Sequence, residues 1–308
     1  MPYRTTRLTP RWACALALLV ALSACLPFNG PTPTPTPPVK TPTLTPVSVM
    51  ATPLVTATLA LVPSTTDTPS PACLAIPGRV LNGVINSALL AKPMTYRVYL
   101  PPCYADGTET HYPTLYLLHG QTYNEDQWIR LGVPVTMDRL IAAGQIPPFI
   151  IVFPYDYSYL QPPQYHFEDV FMGALIPQVD AAYRTIPDAA HRAIGGLSRG
   201  AAWALHLGIH HPDTFGAIGA HSPAIFYSDA ASLPLVLRDI PAGQLPRIYI
   251  DFGDADEQMQ NDLDFKKFLD EYNVPYEWHE NIGFHDEVYW GAHVQEYLIW
   301  YAEGWIKN

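Results

Sequence analysis

The chain has 308 residues, 48% hydrophobic and 15% charged, which is too long for a minimal domain and too apolar for a disordered one. One or two globular domains fit. Seventeen basic against 28 acidic residues give a formal charge of −11, which excludes the basic face that nucleic-acid backbones require. The 33 prolines are about twice the average frequency and point to a concentrated segment rather than an even spread.

At the start of the chain, Arg4, Arg7 and Arg11 precede an apolar run of 13 residues, Trp12 to Ala24, that ends in Leu22-Ser23-Ala24-Cys25. A spanning helix needs about 20 residues, so the run reads as an export signal over residues 1–25. Leu-Ser-Ala-Cys resembles the bacterial lipobox, which implies that Cys25 becomes the lipidated first residue of the mature protein. Acyl chains contribute about 0.8 kcal/mol per buried CH₂ and would hold the protein at a membrane without a spanning segment. The alternative is ordinary signal cleavage with Cys25 incidental.

Residues 26–72 read as a disordered linker. Between Pro27 and Pro71 lie 12 prolines and 12 threonines in 45 residues, with Lys40 and Asp67 the only charges, a composition that builds no packed core. The remaining segment, residues 73–308, carries 13 basic and 27 acidic residues, a formal charge of −14, and all 11 histidines. With Cys14 in the signal and Cys25 in the lipobox, Cys73 and Cys103 remain as the pair available in an exported domain. A disulfide and two buried free thiols both fit that pair.

Within this domain, short β-branched and aromatic runs alternate with stretches of helical period, the pattern of a mostly parallel sheet flanked by helices. The fold class is α/β. Strands are expected at Met94 to Leu100, Thr114 to Leu118, Phe149 to Phe153, Arg192 to Gly195, Ala217 to His221, Arg247 to Phe252 and Tyr276 to Glu280. Helices are expected at Val135 to Ala143, Phe167 to Tyr183, Ala201 to His210, Glu257 to Tyr272 and Trp290 to Ile306. Pro177 should kink the second helix or delay its start.

Gly196-Leu197-Ser198-Arg199-Gly200 fits G-x-S-x-G between an expected strand and an expected helix. A sharp turn there lifts the serine hydroxyl out of the sheet, and flanking glycines avoid a Cβ collision. A serine nucleophile needs a base and a carboxylate that orients the base. Gly253-Asp254-Ala255-Asp256 ends one expected strand, and Gly283-Phe284-His285-Asp286 follows the last. His285 is the candidate base, while His279 and His293 read as structural. Backbone N–H groups of Arg199 and of Gln121, after Leu117-Leu118-His119-Gly120, are candidates to hold the oxyanion. Their side chains are left to face substrate or solvent. His206, His210 and His211 have no acid or cysteine partner positioned with them at ligand spacing, so no metal is expected there.

The ordered set Val98-Tyr99-Leu100-Pro101-Pro102, Tyr116 to Gly120, Leu175-Ile176-Pro177 with Tyr183-Arg184, Gly196 to Gly200, and Gly283 to Asp286 with Trp290 resembles the esterase family of α/β-hydrolases that includes feruloyl and enterochelin esterases and S-formylglutathione hydrolases. The resemblance implies Ser198 as nucleophile, His285 as base and Asp256 as acid, since the family's Gly-x-x-Asp falls on Gly253 and Asp256; Asp254 is the alternative. It implies a serine carboxylesterase that needs no cofactor and acts on a small-molecule or polysaccharide-linked ester, and with the N-terminal signal and lipobox the expectation is an exported, lipid-anchored one. Acyl transfer to a sugar hydroxyl and an inactive carbohydrate-binding hydrolase fold are the competing readings. Tyr123, Trp128 and the aromatic residues of Tyr155 to Tyr165 are candidates to line an aromatic-acyl or sugar pocket.

Overall fold

The computed structural model describes residues 72–105 and 109–306. Cys25, the lipobox and the Pro/Thr-rich segment up to residue 71 lie outside the described residues. In chain order the main elements are β1 (Arg79–Ile85), β2 (Met94–Leu100), β3 (Thr114–Leu118), α1 (Gln127–Arg130), α2 (Val133–Ala142), β4 (Ile150–Pro154), α3 (Phe167–Val170), a π-helical turn (Phe171–Leu175), α4 (Ile176–Ala182), β5 (Arg192–Leu197), α5 (Arg199–His210), β6 (Ala217–His221), α6 (Leu233–Asp239), β7 (Arg247–Gly253), α7 (Met259–Glu271), β8 (Glu277–Asn281) and α8 (Glu287–Ile306).

The strands form one eight-stranded sheet in the order β1-β2-β4-β3-β5-β6-β7-β8. β1 and β2 are antiparallel to each other and β2 is antiparallel to β4, whereas β4, β3 and β5 through β8 are parallel. Parallel strands covered on both faces read as unbroken apolar runs, and all five residues of β3 and of β4 are buried. Their side chains alternate between two cores. Tyr116, Leu118, Ile150 and Val152 join the core packed by α3, α5, α6 and α7. Leu115, Leu117, Ile151 and Phe153 join the core packed by α2 and α8. The period of two thus divides one apolar run between two helical layers.

Three elements were absent from the sequence expectations. β1 carries Asn82-Gly83, a pair that reads as a turn, and only its last residue, Ile85, is buried. It forms because Gly83 lies opposite Tyr96 in the register and leaves the space that the Tyr96 ring fills. The short helices α1 and α6 are the others. The expected helix from Phe167 is continuous to Ala182, and the π-helical turn immediately before α4 accommodates Pro177, which has no N–H to complete the normal ladder. Cys73 and Cys103 are joined by a disulfide across a sequence separation of 30. It pins the first described turn to the loop after β2. Among the described residues no helix is long and apolar enough to cross a membrane.

His206, His210 and His211 sit at the end of α5, where the tertiary fold supplies acids that sequence proximity did not. His206 Nδ1 meets Asp229 Oδ2 at 2.9 Å and its Nε2 meets Glu168 Oε2 at 3.1 Å, while His211 Nε2 meets Glu168 Oε1 at 2.7 Å. The cluster ties α3, α5 and the segment before α6 by ion pairs. Among the described residues no group of three or more such side chains is arranged to hold a metal. Burial alone would lower the His206 pKa, but the two carboxylates outweigh it and raise it to about 9. A raised histidine contributes its full stability below its ordinary value of about 6.5 and loses it as pH rises through the folded value. His206→Gln is therefore expected to cost about 2 kcal/mol at pH 6 and progressively less toward pH 10. Urea unfolding of both proteins across that range checks this, and parallel stability curves would contradict it.

Candidate active site

Ser198 occupies the turn between β5 and α5 with φ 53° and ψ −121°, a conformation that costs a non-glycine residue about 1–3 kcal/mol. The turn is over-determined by its neighbours. The Ser198 N–H donates to His221 O at 2.9 Å, and the Ser198 carbonyl accepts from the N–H groups of Ala202 at 3.1 Å and Ala224 at 3.2 Å. A Cβ on Gly196 would collide with the Gly200 backbone, and one on Gly200 would collide with the carbonyls of Leu118 and His119. The two glycines therefore let the turn close and let it approach the end of β3. The serine stands at the N-terminus of α5, where the helix dipole favours negative charge.

His285 and Asp256 arrive from distant loops. His285 Nε2 lies 2.9 Å from Ser198 Oγ, and His285 Nδ1 lies 2.8 Å from Asp256 Oδ2. Asp256 follows β7 in a turn closed by its own N–H on Gly253 O at 2.9 Å. Its other oxygen, Oδ1, accepts from the Gln258 N–H at 2.8 Å. Burial alone would raise the Asp256 pKa, but hydrogen bonds from His285, the Gln258 N–H and Ser222 hold the carboxyl below its ordinary value. It is a carboxylate at neutral pH. Asp254 turns away from the imidazole and accepts from the Gly283 N–H at 3.1 Å, which fastens the loop that carries His285. Asp286 caps α8 by accepting from the N–H groups of Val288 and Tyr289 at 3.0 and 2.9 Å. Trp290, on the first turn of α8, stands edge-on to His285 with ring centroids 5.0 Å apart and donates to Ser222 Oγ at 3.1 Å.

Beside the serine opens a cleft of about 360 Å³, walled by Gln121, Tyr123, Leu197, His285, Val288 and Trp290. Tyr123 lies on it as the sequence suggested. Trp128 does not, because it is buried in the core with its Nε1 donating to Leu118 O at 2.8 Å. Tyr155, Tyr157 and Tyr165 form a ring-to-ring ladder leading to Phe167 rather than a cleft wall. The Arg199 side chain also departs from expectation, facing neither substrate nor solvent. It is buried, with Nε donating to Asp156 Oδ2 at 2.8 Å and Nη2 to Leu160 O at 2.6 Å. An unpaired guanidinium there would carry a heavy desolvation cost, and Asp156 offsets it.

Several supporting residues escaped the sequence reading. Asp156, at the exit of β4, was hidden in an aromatic loop. Ser222 bonds both Asp256 and Trp290. Beneath the serine turn, His221 pairs with Asp251 at 2.7 Å, and Asp251 accepts from the hydroxyls of Tyr289 and Tyr297, each at 2.7 Å. The polar residues His221 and Asp251 lie inside otherwise strand-like runs, and only their position at the serine end of the sheet distinguishes them. His279 stacks on Tyr249 with centroids 4.5 Å apart and His293 pairs with Glu296 at 3.1 Å, both away from the cleft.

Residues 87–303 match the family described as "Putative esterase". The chain is 34% identical over 163 residues to an endo-1,4-beta-xylanase/feruloyl esterase of Xylanibacter ruminicola, a stretch that is 49% of this chain and 22% of that protein. A solved ferulic acid esterase superposes with a TM-score of 0.67 at 27% identity, over 74% of this chain and 99% of its own. A ferulic acid esterase from Anaeromyces mucronatus, solved in complex with ferulic acid, shares the fold with a TM-score of 0.61 at 20% identity, over 77% of this chain and 93% of its own. With its mostly parallel sheet and the family match spanning most of the domain, the chain belongs to this esterase family of α/β-hydrolases.

Proposed function

We propose that this protein is an exported, lipid-anchored serine carboxylesterase that cleaves hydroxycinnamoyl esters of carbohydrate. The observation that carries the catalytic part is the unbroken path from Ser198 Oγ through His285 to Asp256, with links of 2.9 and 2.8 Å, opening onto the cleft. His285 Nε2 takes the Ser198 proton as Oγ attacks the ester carbonyl, and Asp256 holds the Nδ1–H tautomer and stabilises the imidazolium. The carbonyl oxygen becomes an oxyanion held by the Arg199 and Gln121 N–H groups. Collapse expels the alcohol, protonated by His285, and leaves an acyl-enzyme. Water, deprotonated by His285, then releases the acid and regenerates Ser198.

The substrate class rests on two supports. The cleft presents Tyr123, Leu197, Val288 and Trp290, apolar and aromatic surfaces suited to a planar phenylpropenoyl group. The relatives named for this activity are a xylanase/feruloyl esterase and a ferulic acid esterase. Export and anchoring rest on the basic residues before the apolar run and on Leu22 to Cys25. The Pro/Thr-rich segment would then act as an extended spacer between membrane and enzyme.

Wild type is expected to hydrolyse both p-nitrophenyl acetate and methyl ferulate, with Ser198→Ala lowering kcat by at least about 10³-fold and Asp256→Asn by about 10²- to 10⁴-fold with little change in KM. Equal rates in wild type and Ser198→Ala would remove the mechanism, and hydrolysis of the acetate alone would remove the substrate class. Growth of the producing cells with a radiolabelled fatty acid is expected to label wild type and not Cys25→Ala. An unlabelled wild type would remove the anchor.

A further inference from the structure

The two N–H groups assigned to the oxyanion come from different strands, Gln121 from the loop after β3 and Arg199 from the turn after β5. A continuous set of buried polar contacts joins them. His119 Nδ1 donates to Gly120 O at 2.7 Å, and His119 Nε2 accepts from the Asp156 N–H at 2.9 Å. The Asp156 carboxylate accepts from Arg199 Nε at 2.8 Å, from Trp203 Nε1 at 2.8 Å, and through Oδ1 from the Ser158 N–H at 2.9 Å. The Gly120 carbonyl and the Gln121 N–H belong to the same planar trans peptide and point in opposite directions, so fixing one fixes the aim of the other. The Gly120 N–H is tied as well, donating to Gln127 Oε1 at 2.8 Å.

Only one tautomer of His119 satisfies both contacts, with the proton on Nδ1 and a bare Nε2. Burial lowers the His119 pKa and keeps that neutral form. His119 and Asp156 do not line the cleft themselves, and each is buried.

We propose that His119, Asp156 and the Arg199 side chain form a positioning bridge that holds the two oxyanion donors at a fixed separation and aim. Of the three, His119 acts through the Gly120–Gln121 peptide, and Asp156 acts through both His119 and Arg199. The inference rests on the serine esterase reading. Because the oxyanion develops only as the carbonyl is attacked, a displaced donor weakens the transition state and leaves substrate binding nearly untouched.

Two substitutions of His119 separate positioning from packing. In His119→Asn the side-chain amide reaches the place of Nδ1 and still donates to Gly120 O. In His119→Gln the amide reaches the place of Nε2, accepts from the Asp156 N–H, and leaves Gly120 O with only the longer contact from the Tyr123 N–H at 3.3 Å. With p-nitrophenyl acetate and the full chain, His119→Gln is expected to lose about 10- to 100-fold in kcat at an unchanged KM, in line with the misalignment of one oxyanion donor. His119→Asn is expected to stay within a few-fold of wild type.

Removing only one charge of the buried pair strands the other and risks unfolding, whereas removing both together is often tolerated. The double variant Asp156→Asn with Arg199→Met therefore supplies a folded test, its fold verified by thermal unfolding and circular dichroism. It is expected to show the same selective loss of kcat. An active wild type, with both His119→Gln and the double variant folded and matching wild-type kcat, would overturn the bridge alone. A wild type inactive on every ester would overturn the esterase reading and the bridge with it. Equal losses of kcat in His119→Asn and His119→Gln would assign the imidazole to packing and overturn its positioning role.

Discussion

Everything at the site depends on the backbone of Ser198 being held at φ 53° and ψ −121°. Left to itself the residue would relax into the following helix and carry its hydroxyl away from the imidazole. Three main-chain hydrogen bonds hold it in place, on His221, Ala202 and Ala224, and the absence of side chains at Gly196 and Gly200 lets β3 and the first turn of α5 close around it. The strain is local, of about 1–3 kcal/mol, and the two cores on either face of the sheet offset it. The same turn presents the hydroxyl and sets the N-terminus of α5 behind it.

The rest of the site hangs on loops at the carboxyl ends of parallel strands, the location favoured for ligand chemistry in such sheets. β7 delivers Asp256 and β8 delivers His285, and the two loops are laced together by Asp254 on the Gly283 N–H and by the Ala255 N–H on Gly283 O at 2.9 Å. The loops that carry Asp256 and His285 are thus fastened to each other. On the other side of the serine, β3 and β4 deliver His119 and Asp156, joined to the turn after β5 by the Arg199 side chain. Buried charge is tolerated at three places in this layer, at Asp156, Asp251 and Asp256, and in each the carboxylate accepts several hydrogen bonds. Such groups are costly to bury unpaired, and pairing them orders the loops around the serine.

The central strands were legible because β3, β4 and β6 are buried on both faces and read as apolar runs. The turn at Ser198 was legible because its glycines are a packing requirement that leaves a sequence mark. Asp256 and His285 were legible through their position after strands, and the fold brings them to Ser198. β1 was not, since an edge strand that carries Asn-Gly and buries a single residue has no pattern distinct from a turn. The fate of Arg199 was not legible either. Its partner Asp156 lies 43 residues away in the chain, and no local rule separates an arginine that faces substrate from one buried against a distant carboxylate. Trp128 failed in the same way, since an aromatic near a glycine loop fits a pocket wall as well as a core. The His206 cluster shows the converse, with acids invisible as neighbours in sequence supplied by α3 and by the segment before α6.

We propose that Ser198 is activated, by His285 and by the donors around its turn, as no other hydroxyl of the described residues is. Reaction with a fluorophosphonate followed by peptide mass spectrometry measures this directly, because the reagent captures an activated serine in a form that mimics the tetrahedral state. The expected result is one phosphonyl group per chain, on Ser198, with labelling slowed by orders of magnitude in His285→Ala. Stoichiometric labelling at another residue, or labelling of Ser198 at the same rate without His285, would contradict it.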